Sequence, residues 1–239
     1  VPVKEELSSF VLKEVNKDNL YNFLREMEFN RLLSQAISFY GEENENADKG
    51  KENKSKSYKV ETNNYKNIIN EKDLDNLLKR LNDKSIISVD CETSSLNPID
   101  AELVGISFSC NINEAYYIPV AHKNVKSLNK EFVIKKIKKI LEDSSIKKIG
   151  QNIKYDLMIF KKYGVDIEPI EDTMLLSYTL DAGKNRHNMD TLSEIHLGHK
   201  TISYKEVVGS GKKQLNFSEV NLKEATKYAA EDADITLRL

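Results

Sequence analysis

The spacing of apolar and polar residues changes along the chain and separates predicted strands from predicted helices. Every second residue from Val104 to Cys110 is apolar, with glycine and serine between, which predicts a half-buried strand. The turn NINE and the apolar stretch AYYIPV follow directly, so these two strands are expected to form a hairpin. Short apolar runs predict further strands at 86–92 and at IKKIG, and YKVETNNYKNII predicts an edge strand.

Helical spacing occupies most of the remaining chain. Apolar residues recur every three or four positions in EKDLDNLLKRLND, NKEFVIKKIKKILED and IKYDLMIFKKYG, and Gly164 fits the end of the last of these. Three further helices are predicted at EDTMLLSYTLDA, MDTLSEIHLG and NLKEATKYAAEDADITLRL. Strands followed by strand–helix alternation predict an α/β fold, with a mixed five-stranded sheet flanked by helices on both faces.

The stretch 41–57 divides the chain because it has no Val, Ile, Leu, Met or aromatic residue. A stretch that cannot bury apolar surface is predicted to be a flexible linker. Residues 1–40 before it show amphipathic spacing of one helix or a helix pair, but they are too few for an independent domain. We therefore predict that 1–40 is the tail of a preceding domain and that 58–239 is the main domain. The first residue is not Met, so a longer parent chain is expected.

Composition narrows the class of protein. The 239 residues carry a net charge of −2, which argues against a bulk electrostatic grip on duplex nucleic acid. No apolar run approaches the roughly 20 residues that a membrane helix needs, and no signal peptide is recognisable. These features predict a soluble cytoplasmic protein with no membrane contact. The two cysteines, Cys91 and Cys110, lack metal-site spacing and are predicted to be small buried side chains.

Four carboxylates occupy positions where α/β proteins bind ligands. Asp90 and Glu92 end the strand at 86–92, and strand alternation places both on one face, where they repel each other. Asp156 follows the strand IKKIG in the first turn of a helix. Asp232 lies one helical turn after Tyr228, so their side chains share a face. The Asp-x-Glu triplet alone is weak evidence, because 38 acidic residues would form about six such triplets by chance.

The segments VDCETSSL, GQNIKYD and YAAED, in this order, resemble the three exonuclease motifs of the DEDD superfamily. The third motif has the tyrosine form, Tyr-x-x-x-Asp. The wider similarity is to the proofreading 3′–5′ exonuclease domain of the bacterial DNA polymerase I family, and it covers 58–239. Residues 1–40 resemble the end of that family's 5′-nuclease region. The resemblance implies a ribonuclease H-like fold.

The resemblance also implies a metal-dependent site. Two divalent ions are expected, which would neutralise charge on the attacking and leaving oxygens. Hard ions prefer carboxylate oxygen, so the ions are expected to be Mg²⁺, with Mn²⁺ as a substitute. Asp90 would bridge both ions, Glu92 and Asp232 would complete the ion that binds the attacking water, and Asp156 would hold the other. Tyr228 would stay protonated and orient the water.

Further residues resemble contacts to the substrate strand. Leu96 and Tyr204 correspond to a pair that wedges between and stacks on terminal bases. Tyr204 stands where the family commonly has phenylalanine, and either ring can stack on a base. The other expected substrate contacts are Gln151, Asn152, Tyr155 and Arg186.

Three polar residues near the motifs receive no catalytic role. Asp172 is predicted to cap the helix that follows it. His187 is predicted to be a turn residue. Asp234 is predicted to face away from Asp232, as a solvated or helix-packing acid.

We therefore predict a 3′–5′ exonuclease that acts on 3′ ends of single-stranded or frayed DNA. It would be a monomeric proofreading module joined to the polymerase domain of the same parent chain. One alternative is a 3′–5′ exoribonuclease of the same superfamily, which the polymerase-like flanks disfavour. Another is a non-catalytic single-strand-binding module, which the complete set of acids disfavours.

Overall fold

The computed structural model describes residue 11 and residues 14–41, 60–62, 64–123 and 125–239. The linker predicted at 41–57 lies outside these residues from residue 42 onward. The chain divides into two compact units, Val1–Lys54 and Ser55–Leu239.

The first unit contains a helix pair, α1 (Lys17–Glu26) and α2 (Asn30–Tyr40). The Asn16 side chain accepts a hydrogen bond of 3.0 Å from the Asn19 N–H and caps α1, which satisfies an N–H that the helix leaves unpaired. The Tyr21 hydroxyl donates to the Gly41 carbonyl over 2.7 Å, which joins α1 to the end of α2. The spacing in residues 1–40 is compatible with one helix or with a helix pair, and the structure has the helix pair.

The second unit is built on one mixed sheet in the spatial order β1-β4-β3-β2-β5-β6. Its strands are β1 (Asn64–Asn67), β2 (Ile86–Thr93), β3 (Leu103–Asn111), β4 (Glu114–Pro119), β5 (Lys147–Gly150) and β6 (Ile170–Asp172). The predicted hairpin is confirmed, because β3 and β4 pair antiparallel around the NINE turn. β2 pairs antiparallel with β3 and parallel with β5, so it lies in the middle of the sheet.

The sheet has six strands, and the prediction of five was wrong in this respect. The additional strand β6 pairs in parallel with β5 at the edge, with Lys148 opposite Ile170. The helix predicted at EDTMLLSYTLDA includes the last two residues of β6, Glu171 and Asp172. Three residues are too few to show a two-residue alternation, so only the pairing with β5 reveals this strand.

Seven helices occur among the described residues of this unit. They are α3 (Glu71–Asn82), α4 (Lys130–Leu141), α5 (Lys154–Lys162), α6 (Thr173–Asp181), α7 (Met189–Leu192), α8 (Tyr204–Val208) and α9 (Leu222–Arg238). Six lie where the spacing predicts them, and the short helix Tyr204–Val208 was not predicted. A π-helical turn, Ser193–Leu197, follows α7, and 3₁₀ turns occur at Gly211–Lys213 and Phe217–Glu219. Gly164 follows the end of α5 with φ +70°, the left-handed conformation that favours glycine.

Helices cover both faces of the sheet, as predicted. On one face α3, α4 and α5 pack on apolar strand residues such as Ile87 and Val89. On the other face α9 lies against β3 and β4, where its alanines Ala225 and Ala229 pack near Val104 and Tyr117. Alanine lets a helix approach a sheet closely, which matters here because α9 carries the third motif. Cys91 and Cys110 are buried free thiols, as expected.

Within the described ranges, every helix is too short or too polar to cross a bilayer.

Candidate active site

β2 presents two carboxylates to the sheet face that α9 covers. Val89 and Cys91 point into the core beneath the other face, so the alternate residues Asp90 and Glu92 point toward α9. Asp90 is half-buried and Glu92 is buried. The pairing with β3 shifts register immediately after Glu92, an irregularity that ends regular pairing at this point. Both acids therefore belong to the last regularly paired residues of β2.

α9 brings Asp232 to the same place. Asp232 is buried, and Asp90, Glu92 and Asp232 can each offer a carboxylate oxygen that lies within 4.8 Å of the other two. Tyr228 is half-buried one turn earlier on α9 and lines the same cleft as the three acids. The expected juxtaposition of the first and third motifs is therefore present in the structure.

Asp156 lies next to this group but is not one of the three clustered carboxylates. It is in the first turn of α5 and only 3% exposed. Its Oδ1 atom accepts a hydrogen bond of 2.9 Å from the backbone N–H of Cys91. This bond ties α5 to the strand residue between Asp90 and Glu92. The structure thus brings three of the four predicted acids into one cluster and holds the fourth against the backbone beside it.

The electrostatics of the site reflect crowded negative charge. Burial raises the pKa of Asp90 well above its usual range, and the Asp156, Glu92 and Asp232 carboxylates raise it further. Burial, followed by Asp232 and Asp156, likewise raises the pKa of Glu92. Burial raises the pKa of Asp156 to about 7, although its hydrogen bonds with Cys91 oppose the shift. Within the described residues no lysine or arginine forms an ion pair with these carboxylates.

Asp232 and Tyr228 each affect the pKa of the other. Burial is the main cause that raises the pKa of the Asp232 carboxyl well above its usual range. Burial also raises the pKa of Tyr228 far above its ordinary value, and the charges of Asp232, Glu92 and Asp90 add to this. Tyr228 is therefore protonated at neutral pH, and its hydroxyl is a hydrogen-bond donor that faces the Asp232 carboxylate.

A cleft of about 350 Å³ opens above the acids. Leu96 stands at its rim with 89% of its surface exposed. Tyr204 forms part of the wall, with its ring nearly parallel to that of Phe217 at 6.3 Å between centroids and edge-on to Tyr228 at 6.1 Å. The lining residues are Asp90, Cys91, Glu92, Thr93, Ser95, Leu96, Tyr155, Tyr204, Tyr228 and Asp232.

Tyr155 connects α5 to the loop that carries Leu96. Its hydroxyl lies 2.5 Å from Thr93 Oγ1 and donates to the Ser95 carbonyl over 2.5 Å. Thr93 Oγ1 also donates to the Ser95 carbonyl, over 3.0 Å. These bonds hold the chain between β2 and Leu96 against α5.

The structure leaves Gln151, Asn152 and Arg186 outside the lining of this cleft. The Gln151 amide donates to the His187 carbonyl over 2.8 Å and accepts from the Thr173 hydroxyl, so both of its ends bind the protein. Asn152 adopts φ +59°. Arg186 is exposed. Of the six predicted substrate contacts, the structure brings Leu96, Tyr155 and Tyr204 together with the acids.

Sequence reasoning missed two supports of the site. Phe217 lies in a 3₁₀ turn without apolar periodicity, so no signal indicated that its ring would pack beside Tyr204. Tyr117 could have been found, because strand alternation puts it on the same sheet face as Asp90. Its ring lies over Gly105, the residue opposite Glu92, and a Cβ at Gly105 would stand 2.0 Å from the Tyr117 hydroxyl.

The residues that received no catalytic role have structural ones. Asp172 caps α6 by accepting from the Met174 N–H over 2.9 Å, and it also accepts from the Ile153 N–H over 3.0 Å. His187 Nδ1 lies 2.8 Å from the Ser177 hydroxyl. Asp234 is fully buried and accepts from the Tyr65 hydroxyl over 2.7 Å, which confirms the helix-packing reading over the solvated one.

Comparison with known proteins places this site in a family. The model of the 3′–5′ exonuclease family matches residues 65–239. The chain is 42% identical over 174 residues to DNA polymerase I of Rhizobium leguminosarum, covering 64% of this chain and 17% of the relative. It is 34% identical over 245 residues to DNA polymerase I of Pseudomonas aeruginosa, covering 100% of this chain and 26% of the relative. The chain therefore spans about a quarter or less of these relatives.

Solved structures share the fold at lower identity. Escherichia coli RNase D, an exoribonuclease, superposes with a TM-score of 0.55 at 18% identity, over 73% of this chain and 43% of that one. Brucella melitensis NrnC superposes with a TM-score of 0.52 at 23% identity, over 65% of this chain and 70% of that one. These similarities support the ribonuclease H-like α/β fold. The match across 65–239 shows that this chain belongs to the 3′–5′ exonuclease family, with bacterial DNA polymerase I enzymes among its relatives.

Proposed function

We propose that this domain removes nucleotides one at a time from 3′ ends of single-stranded or frayed DNA. The observation that carries the proposal is the clustering of Asp90, Glu92 and Asp232 within 4.8 Å at the end of a central strand. A protonated tyrosine and an aromatic wall border the same cleft. This combination suits hydrolysis of a phosphodiester, whose transition state needs charge neutralisation and an oriented water.

The acids fit divalent cations. Their donor atoms are all oxygens, which hard ions such as Mg²⁺ and Mn²⁺ prefer. Burial, and after it repulsion from neighbouring carboxylates, raises the pKa values of Asp90 and Glu92, and a bound cation would relieve this repulsion. We propose that Asp90, Glu92 and Asp232, with Asp156 beside them, hold two such ions. When bound, the ions would make water a better nucleophile and neutralise charge on the attacking and leaving oxygens.

The chain's own residues would do the positioning. The Tyr228 hydroxyl keeps its proton and can donate a hydrogen bond that orients the attacking water. Tyr204, supported by the parallel Phe217 ring, offers a face on which a terminal base can stack. Leu96 at the rim can wedge against the next base. The acids lie beneath this cleft, so the terminal nucleotides would be unpaired in order to reach them.

DNA is favoured over RNA as the substrate. The relatives with 34–42% identity are DNA polymerases, whereas the similarity to an exoribonuclease is at 18% identity and concerns the fold. We further propose that residues 1–40 end a 5′-nuclease region, that 41–57 link it to the exonuclease domain at 58–239, and that a polymerase domain follows in a monomeric cytoplasmic parent protein. Proofreading during DNA synthesis would be the role of the domain.

The test is digestion of 5′-labelled single-stranded DNA and RNA of the same sequence, with Mg²⁺, with Mn²⁺ or with chelator. The expected result is a ladder of products one nucleotide apart, on DNA, with metal. Asp232→Asn serves as the control for a contaminating nuclease. Faster digestion of RNA would favour the exoribonuclease alternative. Binding without digestion would favour the non-catalytic module.

Replacing Tyr228 with phenylalanine isolates the hydroxyl from the ring. We expect Tyr228→Phe to cut about 10-fold more slowly or worse, the usual loss when a positioned catalytic group is removed. Its melting temperature should match the wild type, because the ring packing against Tyr204 and Phe217 is kept. Tyr178→Phe, on the exposed surface of α6, is the matched control and should cut normally. Undiminished cleavage by Tyr228→Phe would remove Tyr228 from the mechanism.

A further inference from the structure

A second acid on α9, Glu231, is the immediate neighbour of Asp232 and points elsewhere. It is 2% exposed. Its Oε2 atom accepts a hydrogen bond of 2.6 Å from the Ile202 N–H, and its Oε1 atom lies 3.0 Å from His199 Nε2. Both partners belong to the segment 198–203 that connects the π-helical turn to α8. Glu231 therefore joins α9 to this segment at two points.

The segment 198–203 leads directly to Tyr204, the first residue of α8. Its other bonds include one from the Ser193 hydroxyl to the His199 carbonyl over 2.8 Å and one from Thr201 Oγ1 to Asp190 over 2.6 Å. α8 has five residues, too few for a helix that is stable by itself. The position of Tyr204 therefore depends on how the preceding segment is held.

Glu231 places a buried negative charge beside a group of carboxylates that already repel one another. Its charge contributes to the raised pKa of Asp232. An uncharged side chain at this position would avoid the repulsion between Glu231 and Asp232. The destabilising effect of the buried Glu231 charge must therefore be offset by favourable contacts of its carboxylate. The described contacts that offset it are the two bonds to the segment before Tyr204.

We propose that Glu231 is a positioning residue that fixes Tyr204 relative to Tyr228 and Asp232. One rigid helix would thus set the catalytic acid, the water-orienting hydroxyl and, through Glu231, the ring on which the terminal base stacks. The inference rests on the proposed function, because it takes Tyr204 as the stacking residue. Glu231 acts through Ile202 and His199 and does not touch the substrate.

The first experiment compares two substitutions at Glu231. Glu231→Ala removes both acceptors, and we expect KM for single-stranded DNA to rise about 10-fold, within the range for loss of a base–aromatic stack. Glu231→Gln keeps a carbonyl oxygen for the Ile202 N–H and should restore most of the wild-type KM. His199→Ala removes the partly exposed partner instead, and we expect a smaller rise of about 3-fold. It provides a second test if Glu231→Ala does not fold.

The second experiment repeats these substitutions in the Tyr204→Ala background. If Glu231 acts through Tyr204, removing it from a protein that already lacks the ring should change KM by less than about 2-fold. Asp234→Ala is the matched control, because Asp234 is a buried acid on the same helix whose partners are Tyr65, Asn113 and Arg238. It should lower the melting temperature and leave KM unchanged in both backgrounds. Asp234→Asn replaces it if the alanine variant does not fold.

Three results would overturn the inference. Equal effects of Glu231→Ala with and without the Tyr204 ring would show that Glu231 acts on another part of the site. If Asp234→Ala raised KM as much as Glu231→Ala, general destabilisation of α9 would explain both effects. An unchanged KM in Tyr204→Ala would show that there is no stack to position. Failure of the proposed function is separate, because it would appear as the absence of metal-dependent digestion of single-stranded DNA by the wild type.

Discussion

Asp90→Asn is expected to slow removal of the 3′ nucleotide by about 1000-fold, the upper range for loss of one electrostatic group that stabilises a transition state. Asp90 is central to the cluster, since its pKa is raised by burial and then by the charges of Asp156, Glu92 and Asp232. In the proposed function Asp90 is one of the residues that would hold the two cations, so its loss would weaken their binding. The measurement is the initial rate on 5′-labelled single-stranded DNA in millimolar Mg²⁺.

The same variant tests whether the acid is there for catalysis or for packing. Replacing a repelled carboxylate by a neutral amide of equal size should leave the metal-free melting temperature unchanged or raise it. Asp75→Asn is the control at an exposed acid on α3, and it should cut at the wild-type rate. If Asp90→Asn melts well below the wild type in chelator, Asp90 is a structural hydrogen-bond partner and the proposed metal site is wrong.

Removal of divalent cations is expected to abolish cleavage and to leave a less stable protein. A cation that binds only the folded state at 100 times its dissociation constant stabilises that state by about 2.7 kcal/mol. Adding Mg²⁺ or Mn²⁺ to the chelated wild type should therefore raise its melting temperature, and the rise should be smaller in Asp232→Asn. An equal rise in both proteins would place the bound cation elsewhere.

The stability of the metal-free protein should also depend on pH. The pKa of Asp156 is about 7 in the folded state, against an ordinary value of 3.8. Between these values Asp156 binds more protons in the folded state than in the unfolded state, so its contribution to the free energy of unfolding falls as pH rises from about 4 to about 7 and then levels off. Asp90, Glu92 and Asp232 have pKa values shifted in the same direction and act with the same sign.

Thermal melting in chelator from pH 5 to pH 8 measures this dependence. We expect a fall of at least about 5 °C across the range, because each kcal/mol shifts the melting temperature of a domain this size by about 2–4 °C. Asp156→Asn should show a shallower slope, since its amide does not titrate. A melting temperature that rises with pH over this range would contradict the burial of protonated carboxyl groups.

Local features of the sequence determined much of the site. Alternation in β2 put Asp90 and Glu92 on one face, and the four-residue spacing on α9 put Tyr228 beside Asp232. The Asp172 cap and the β3–β4 hairpin were also predictable, because each depends on residues close in the chain. Order and separation of the three motifs then indicated the family, which the match across 65–239 shows.

Other features depend on contacts between distant parts of the chain, and only the tertiary structure decided them. Asp156 turns to the Cys91 N–H because α5 packs against β2, and no local pattern specifies that bond. Pairing with β5 made a strand of Ile170–Asp172, which is too short to have a period of its own. Local spacing reports which face of an element a residue occupies. It does not report which other element meets that face, and so the contacts of Glu231 with the segment before Tyr204 could be found only in the folded chain.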